Sequence, residues 1–150
     1  MTENNYLMID SGAQVCVCPI TYAKEIPLIR LKDKYKPNLQ TVNGQAMDVA
    51  GVKYMDYLVE NQQRLVIQFY VCYVHMPIVS ANGLTDTGHV LTLDKNHPTL
   101  TKDGRCLSRL QMSKGLYFID PYSRRKPPDH ATIIENAKGK LLIQGLSPKS

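Results

Sequence analysis

Apolar residues in this chain fall in short runs broken by polar or turn-forming positions, and they rarely recur at helical spacing. Tyr6-Leu7-Met8-Ile9 is one such run, and it ends on Asp10. Gln14 to Pro19 alternates and carries β-branched Val15 and Val17, while Ile26 to Leu31 is a short apolar stretch closed by Lys32-Asp33-Lys34. Leu39 to Val42 leads into Asn43-Gly44 and Gln45 to Val49 leads away, which predicts a hairpin with a two-residue turn. Val52 to Val59 alternates, Glu60 to Gln63 is polar, and Arg64 to Val74 is the longest apolar run, so Val52 to Val74 predicts one long hairpin. A single helix is expected over Ala81 to Thr87, with Ser80 as its N-cap and Gly88 just past its end. Thr21 to Glu25 offers at most one further helical turn.

Four more short strands follow: Val90 to Leu93, Thr99 to Leu100, Arg105 to Gln111 and Leu116 to Ile119. Turn residues separate them at Asp94-Lys95-Asn96, Lys102-Asp103-Gly104 and Ser113-Lys114-Gly115. Many short strands with one short helix predict an all-β domain, closed into a barrel or folded as a sandwich. The text changes at Pro121. Tyr122 to Pro128 reads as a linker, and Ile133-Ile134 and Leu141 to Ile143 read as edge strands or loose chain. The expected division is a domain over residues 1–120 and a basic tail over 121–150.

Composition narrows the class. The 150 residues are 43% hydrophobic and 21% charged, values of an ordinary globular domain with enough chain for a core. No apolar run approaches the ~18 residues that span a bilayer, and the N-terminus has no secretory pattern, so an intracellular, cytoplasmic location is expected. The net charge of +5 is uneven: from Pro121 onward six basic residues face two acids. Such a tail can meet nucleic acid through phosphates, but it lacks the interleaved aromatics of a base-stacking surface, and a solvated tail is the reading preferred here. Cys16 and Cys18, one residue apart, would present both thiols on one side of a strand. Neither they, nor Cys72 and Cys106, nor the four histidines show zinc-ligand spacing, and reduced, partly buried thiols are expected.

The chemistry concentrates at Asp10-Ser11-Gly12-Ala13. Aspartate is depleted in strands and rarely buried without a partner, yet here it follows four apolar residues. Gly12 permits a sharp turn, so one carboxylate is held at a strand end beside a hydroxyl and free backbone N–H groups. A plain Asx-type turn is the alternative reading of the tetrapeptide alone.

Taken with the Asn43-Gly44 hairpin, the long hairpin and the Ile78-Val79-Ser80-Ala81-Asn82-Gly83-Leu84 segment, the order of features resembles the retropepsins, the aspartic proteases of retroviruses and retrotransposons. The resemblance covers about Tyr6 to Pro121. Ser80 stands where retroviral members have glycine, a departure that resembles the copia-type retrotransposon enzymes, as do Val79 to Leu93 and Leu116-Tyr117. The resemblance implies that Asp10 is the catalytic acid, supported by Ser11, Gly12 and Ala13. It also implies a flap over Val42, Asn43, Gly44, Gln45 and Ala46, and a support segment at Ile78, Val79 and Ser80. Apolar subsites lined by Ile9, Val42, Ala46, Ile78 and Val79 are expected.

Asp86-Thr87-Gly88 looks like a second catalytic triplet, but no apolar strand precedes it, and it falls where the helix should end. The resemblance therefore implies a homodimer with one Asp10 from each copy, acting on extended peptides of a retrotransposon polyprotein, in the cytoplasm or a virus-like particle, with no metal and no cofactor. Only nine residues precede Asp10. The dimer interface is accordingly expected from Leu116 to Ile119 or Leu141 to Ile143, unless the natural polyprotein continues upstream. The rival reading is a retropepsin-like binding or dimerisation module without catalysis, its basic tail contacting nucleic acid.

Overall fold

A computed structural model describes residues 6–41 and 43–127, together with the backbone of two later strands. In chain order the strands are β1 (Leu7–Asp10), β2 (Val17–Cys18), β3 (Ile29–Arg30), β4 (Leu39–Gln40), β5 (Ala46–Met47), β6 (Val49–Val59), β7 (Gln63–Cys72) and β8 (Ile78–Ser80). A short helix, α1 (Ala81–Asp86), follows. Then come β9 (His89–Thr92), β10 (Thr99–Lys102), β11 (Arg105–Arg109), β12 (Gln111–Ser113), β13 (Leu116–Ile119), β14 (Ser123–Arg125), β15 (Thr132–Glu135) and β16 (Leu141–Gln144). The all-β class with one short helix holds, and the helix begins and ends where its capping residues indicated.

The main sheet runs β12-β13-β1-β8-β2-β7-β6-β14, with β3 also paired to β6. Two of its pairings are parallel, β1 with β8 and β2 with β7. The expected closure into a barrel is not found among the described strands: the sheet ends at β12 on one side and β14 on the other. β9, β10 and β11 form a separate three-stranded sheet, β4 and β5 a small hairpin, and β15 and β16 another.

β6 and β7 are the spine, paired from Val49↔Cys72 to Val59↔Gln63. Strand side chains alternate in direction. Met55, Tyr57 and Val59 on β6 and Leu65, Ile67, Phe69 and Val71 on β7 therefore enter the main core, which they share with Leu7, Cys18, Val79, Leu84, Leu100 and Ile119. The opposite face of β6 buries Val52 and Tyr54 against Ile29, Leu31 and Val66. Polar groups on the spine are also buried. The Lys53 amine donates to the carbonyl oxygens of Tyr22 (3.0 Å) and Ala23 (2.9 Å). The Asp56 carboxylate accepts from Arg64 Nε and Arg125 Nε, both at 2.9 Å.

The stretch read as a linker is partly structural. β14 pairs antiparallel with Leu58 to Asp56 of β6. Arg124 lies over the Tyr22 ring, 4.7 Å from its centroid, and its Nε donates to Glu25 at 2.7 Å. Together with Arg125 on Asp56, these pairings explain the two arginines that follow Ser123: both meet acids on the body of the fold.

Turn chemistry decides the hairpins. Asp103 and Gly104, and Lys114 and Gly115, are consecutive pairs with positive φ, the conformation whose twist suits the two-residue hairpins they form, while Asn61 and Gln62 take positive φ within the three-residue turn Glu60–Gln62. The Asn43-Gly44 hairpin differs from its expectation. The Thr41 N–H donates to the Gln45 carbonyl (2.9 Å), the Gly44 N–H to the Thr41 carbonyl (2.9 Å), and the Gln45 N–H to Thr41 Oγ1 (3.2 Å). The loop therefore holds three residues, 42 to 44, and Gly44 takes the left-handed position with φ +83°.

Candidate functional site

Asp10 is the last residue of β1 and lies opposite Ser80 in the parallel pairing of β1 with β8. Leu7 and Ile9 point into the main core, which leaves Asp10 on the other face, together with Met8. The chain then turns. The Gly12 N–H donates to Asp10 Oδ1 at 2.7 Å, so the carboxylate is held by its own loop. A methyl group on Gly12 would lie 3.3 Å from that same oxygen, a snug contact against the carboxylate that the loop holds. Ser11 and Gly12 are exposed, Asp10 and Ala13 half-buried. The result is a carboxylate anchored at the end of an interior strand and carried on a loop that meets solvent.

Ser80 backs this loop. Its side chain is wholly buried. The hydroxyl donates to the Ala13 carbonyl at 2.8 Å and accepts from the Gly83 N–H at 3.0 Å, so it caps α1 and ties the helix to the Asp10 loop. The Ser80 N–H in turn donates to Cys16 Sγ at 3.3 Å. Burial pushes the Cys16 thiol up to about 11, and the Ser80 hydrogen bond only partly opposes it, so Cys16 stays protonated and accepts. Cys16 and Cys18 face the main core while Val17 between them faces away, as their spacing predicts. The link from Cys16 to Ser80 had no signal in the sequence, because its partners are 64 residues apart.

A second apolar cluster lies beside the loop. It contains Val17, Leu39, Val49 and Cys72, with Val15, Met47, Val74 and Ile78 against it. Leu39 and Met47 are opposite each other in the β4–β5 hairpin. The base of that hairpin and Ile78 of β8 thus share one apolar floor with Val15, two residues beyond Ala13. Asn43, Gly44, Gln45 and Ala46 are exposed at the hairpin's end, and Val42 lies outside the described residues.

The residues singled out from sequence therefore separate into two groups. Asp10, Gly12, Ala13 and Ser80 form one hydrogen-bonded unit with Ser11 exposed at the turn of the same loop, and Ile78 borders the hairpin floor. Val79 and Ile9 do not line that floor: Val79 is wholly buried in the main core and Ile9 packs there too, because both sit on the opposite face of their strands. Asp86 is the exposed last residue of α1, roughly 9 Å along the helix from Ser80 at 1.5 Å per residue.

Leu116 to Ile119, from which the interface is expected, already pairs within the chain. This segment is β13, and both of its edges are occupied within the chain, by β1 (Leu7↔Ile119) and by β12 (Gln111↔Phe118). It covers the flank of the Asp10 strand and has no free edge for a second copy. Leu141 to Ile143 lies in β16, paired with β15.

Among the described residues no group of three His, Cys, Asp or Glu side chains is placed to hold a metal, and no helix is long and apolar enough to cross a membrane. No family model, curated protein or solved structure matches the chain.

Proposed function

We propose that the chain is a retropepsin-like aspartic endopeptidase of a retrotransposon polyprotein, acting as a homodimer in which Asp10 of each copy forms the catalytic pair. The observation that carries this reading is the Asp10 carboxylate itself. It ends an interior strand, accepts the Gly12 N–H, stands in register with a buried serine, and is presented on an exposed loop.

A shared proton needs a second acid, and Asp86, the other candidate in the sequence, lies at the far end of α1. A twofold axis through the loop supplies one, because a symmetric interface sets each residue against its own copy. Two carboxylates in contact cannot both ionise, and the pair holds one proton jointly. The ionised member then takes a proton from a water lodged between them. The water oxygen bonds to the peptide carbonyl carbon, and the protonated member donates to the carbonyl oxygen. Collapse of the resulting diol breaks the C–N bond as the nitrogen is protonated, and no covalent enzyme intermediate is needed.

The β4–β5 hairpin is the flap in this reading, its exposed end at Asn43 to Ala46 closing over an extended peptide through strand-like hydrogen bonds. Ile78, Met47 and Val74 offer apolar surface to the substrate side chains.

The test is cleavage of a mixed peptide library at mildly acidic pH over a range of protein concentration, with Asp10→Asn as control. Cleavage that rises more steeply than protein concentration, and is absent in Asp10→Asn of unchanged circular dichroism, is the expected result. Equal cleavage by both proteins, or none by either at concentrations where the chain is dimeric, refutes it and leaves the non-catalytic module.

A further inference from the structure

The most constrained polar group near Asp10 is the Ser80 hydroxyl. It has one proton and two lone-pair directions. The proton goes to the Ala13 carbonyl (2.8 Å) and one lone pair takes the Gly83 N–H (3.0 Å). Its backbone N–H is occupied by Cys16 Sγ (3.3 Å), and its side chain has no solvent exposure. A methyl group on Gly83 would rest in ordinary contact with Ser80 Cβ at 3.4 Å and Cys16 Sγ at 3.7 Å, so Gly83, Ser80 and Cys16 lie side by side.

The bond to Ala13 is more than a helix cap requires. An N-cap serine needs only to accept from the first turn. Here the same hydroxyl also reaches across to the far side of the Asp-Ser-Gly turn, 67 residues away in the chain. That turn is otherwise held by one side-chain bond, Gly12 N–H to Asp10 Oδ1, and by a long Ala13 N–H to Asp10 carbonyl bond of 3.4 Å. The loop is exposed at Ser11 and Gly12, so water competes for its local bonds. The buried bond from Ser80 fixes the loop's exit. β1 fixes its entry.

We propose that Ser80 is a positioning residue for the carboxylate pair: its hydroxyl locks the Asp10 loop to the N-terminus of α1, so that Asp10 meets its twin at the separation that lets the two share a proton. This rests on the aspartic protease reading. A loop freed at Ala13 lets the two carboxylates drift, and carboxylates that drift apart no longer share one proton tightly, so each titrates more like an isolated acid. Substrate contacts through the hairpin floor do not involve Ser80, so peptide binding should change little.

The experiment compares the full chain with Ser80→Ala, which removes the hydroxyl, and Ser80→Thr, which keeps it. The expected result for Ser80→Ala is a fall in kcat of at least tenfold with KM within about twofold. The two apparent pKa values of the kcat–pH profile should move toward each other, and Gly12 and Ala13 amide exchange should quicken at least tenfold while β6 and β7 amides are unaffected. Ser80→Thr should restore most of kcat and the profile. Should the added methyl of Thr prevent folding, Ser80→Ala with its exchange pattern still decides.

An active Ser80→Ala protein with unchanged kcat and pH profile overturns the positioning role while leaving the protease reading intact. Unchanged Gly12 and Ala13 exchange overturns the tether whatever the activity. A fall in kcat explained wholly by weaker dimerisation, restored by raising protein concentration, also overturns it. Absence of cleavage by the unaltered dimeric chain refutes the protease reading, and the positioning role falls with it.

Discussion

Gly51→Ala tests how the hairpin segment is anchored. β3 crosses β6 at Ile29↔Val52 and Arg30↔Gly51, and a methyl group on Gly51 would lie 2.2 Å from the Ile29 carbonyl oxygen and 3.0 Å from its carbon. Carbon and oxygen ordinarily meet at about 3.3–3.6 Å, so β3 must retreat by about 1 Å. The obstacle is backbone and cannot rotate away. A retreat of that size takes the β3–β6 bonds from about 3 Å to about 4 Å, beyond hydrogen-bonding range. Losing up to two such bonds costs about 1 kcal/mol each, and forcing a methyl into a filled site about 1–3 kcal/mol. The sum is about 2–5 kcal/mol. At about 2–4 °C per kcal/mol for a chain of this size, Tm should fall by about 4–20 °C. Gly44→Ala is the control: nothing lies within 4 Å of its added methyl, so only the left-handed φ of +83° matters. That costs about 1–2 kcal/mol, and Tm should fall by only a few degrees. The assay is thermal unfolding by circular dichroism, with hydrogen exchange at Ile29 and Arg30. A Gly51→Ala protein melting within about 2 °C of the unaltered chain, with β3 still protected, refutes the reasoning.

On the protease reading, Asp86→Asn should leave peptide cleavage within about twofold of the unaltered chain, because the residue is exposed at the end of α1; a folded but inactive Asp86→Asn protein would show the second acid to be Asp86. His89 is buried, with Nδ1 near Thr87 Oγ1 (2.9 Å) and the Leu84 carbonyl (3.2 Å); burial first and Lys102 second hold its pKa below 6.5, despite opposition from the Leu84 carbonyl and Asp103. The unfolded chain therefore binds the proton more readily. Stability from this site is complete above pH 6.5 and is lost as pH falls through that value toward the folded pKa, so the drop in Tm between pH 7.5 and 5.5 should be smaller in His89→Asn, and an equal drop in both proteins assigns the pH dependence elsewhere. Met112→Lys, on exposed β12, should leave the dimer's dissociation constant in analytical ultracentrifugation within about threefold; conversion to monomer would place the interface on that edge.

Periodicity made the spine legible. The alternation of Val52 to Val59 and the long run after Arg64 mark β6 and β7 because each strand must face two ways at once. It did not reveal which polar residues are buried. Lys53 and Asp56 lie on opposite faces of β6, and both are covered, one by the Tyr22 and Ala23 carbonyls and the other by two arginines. Those partners come from distant parts of the chain, so no local pattern encodes them. Arg125 is 69 residues from Asp56, which is why a strand was hidden inside a composition that reads as linker. The helix was legible because its cap is local: Ser80 and Gly83 are three residues apart. The tie from Ser80 to Ala13 was not. The Asn43-Gly44 turn shows the same limit at short range. Asn-Gly favours a two-residue turn, but the Thr41 hydroxyl captures the Gln45 N–H and tips the loop to three residues.

The sheet order restricts how two copies can approach if their Asp10 carboxylates are to meet. β12 is the sheet's edge on the Asp10 side, and joining β12 to its copy would make a continuous sheet with the simplest possible interface. Between the two β1 strands would then lie β13, β12, and their two copies, which is five strand spacings at about 4.8 Å, or about 24 Å. A shared proton needs oxygens in hydrogen-bond contact, at about 2.5–3 Å. Twist rotates successive strands about the axis that runs across them in the sheet and does not remove that gap, so an edge-to-edge dimer and a carboxylate pair exclude each other. A partner that brings its Asp10 to this one must come end-on to β1, against the exposed Ser11-Gly12 turn. β13 and β8 occupy the two edges of β1, so a second chain that reaches Asp10 does so through the exposed turn at the strand's C-terminal end and not by pairing with the strand.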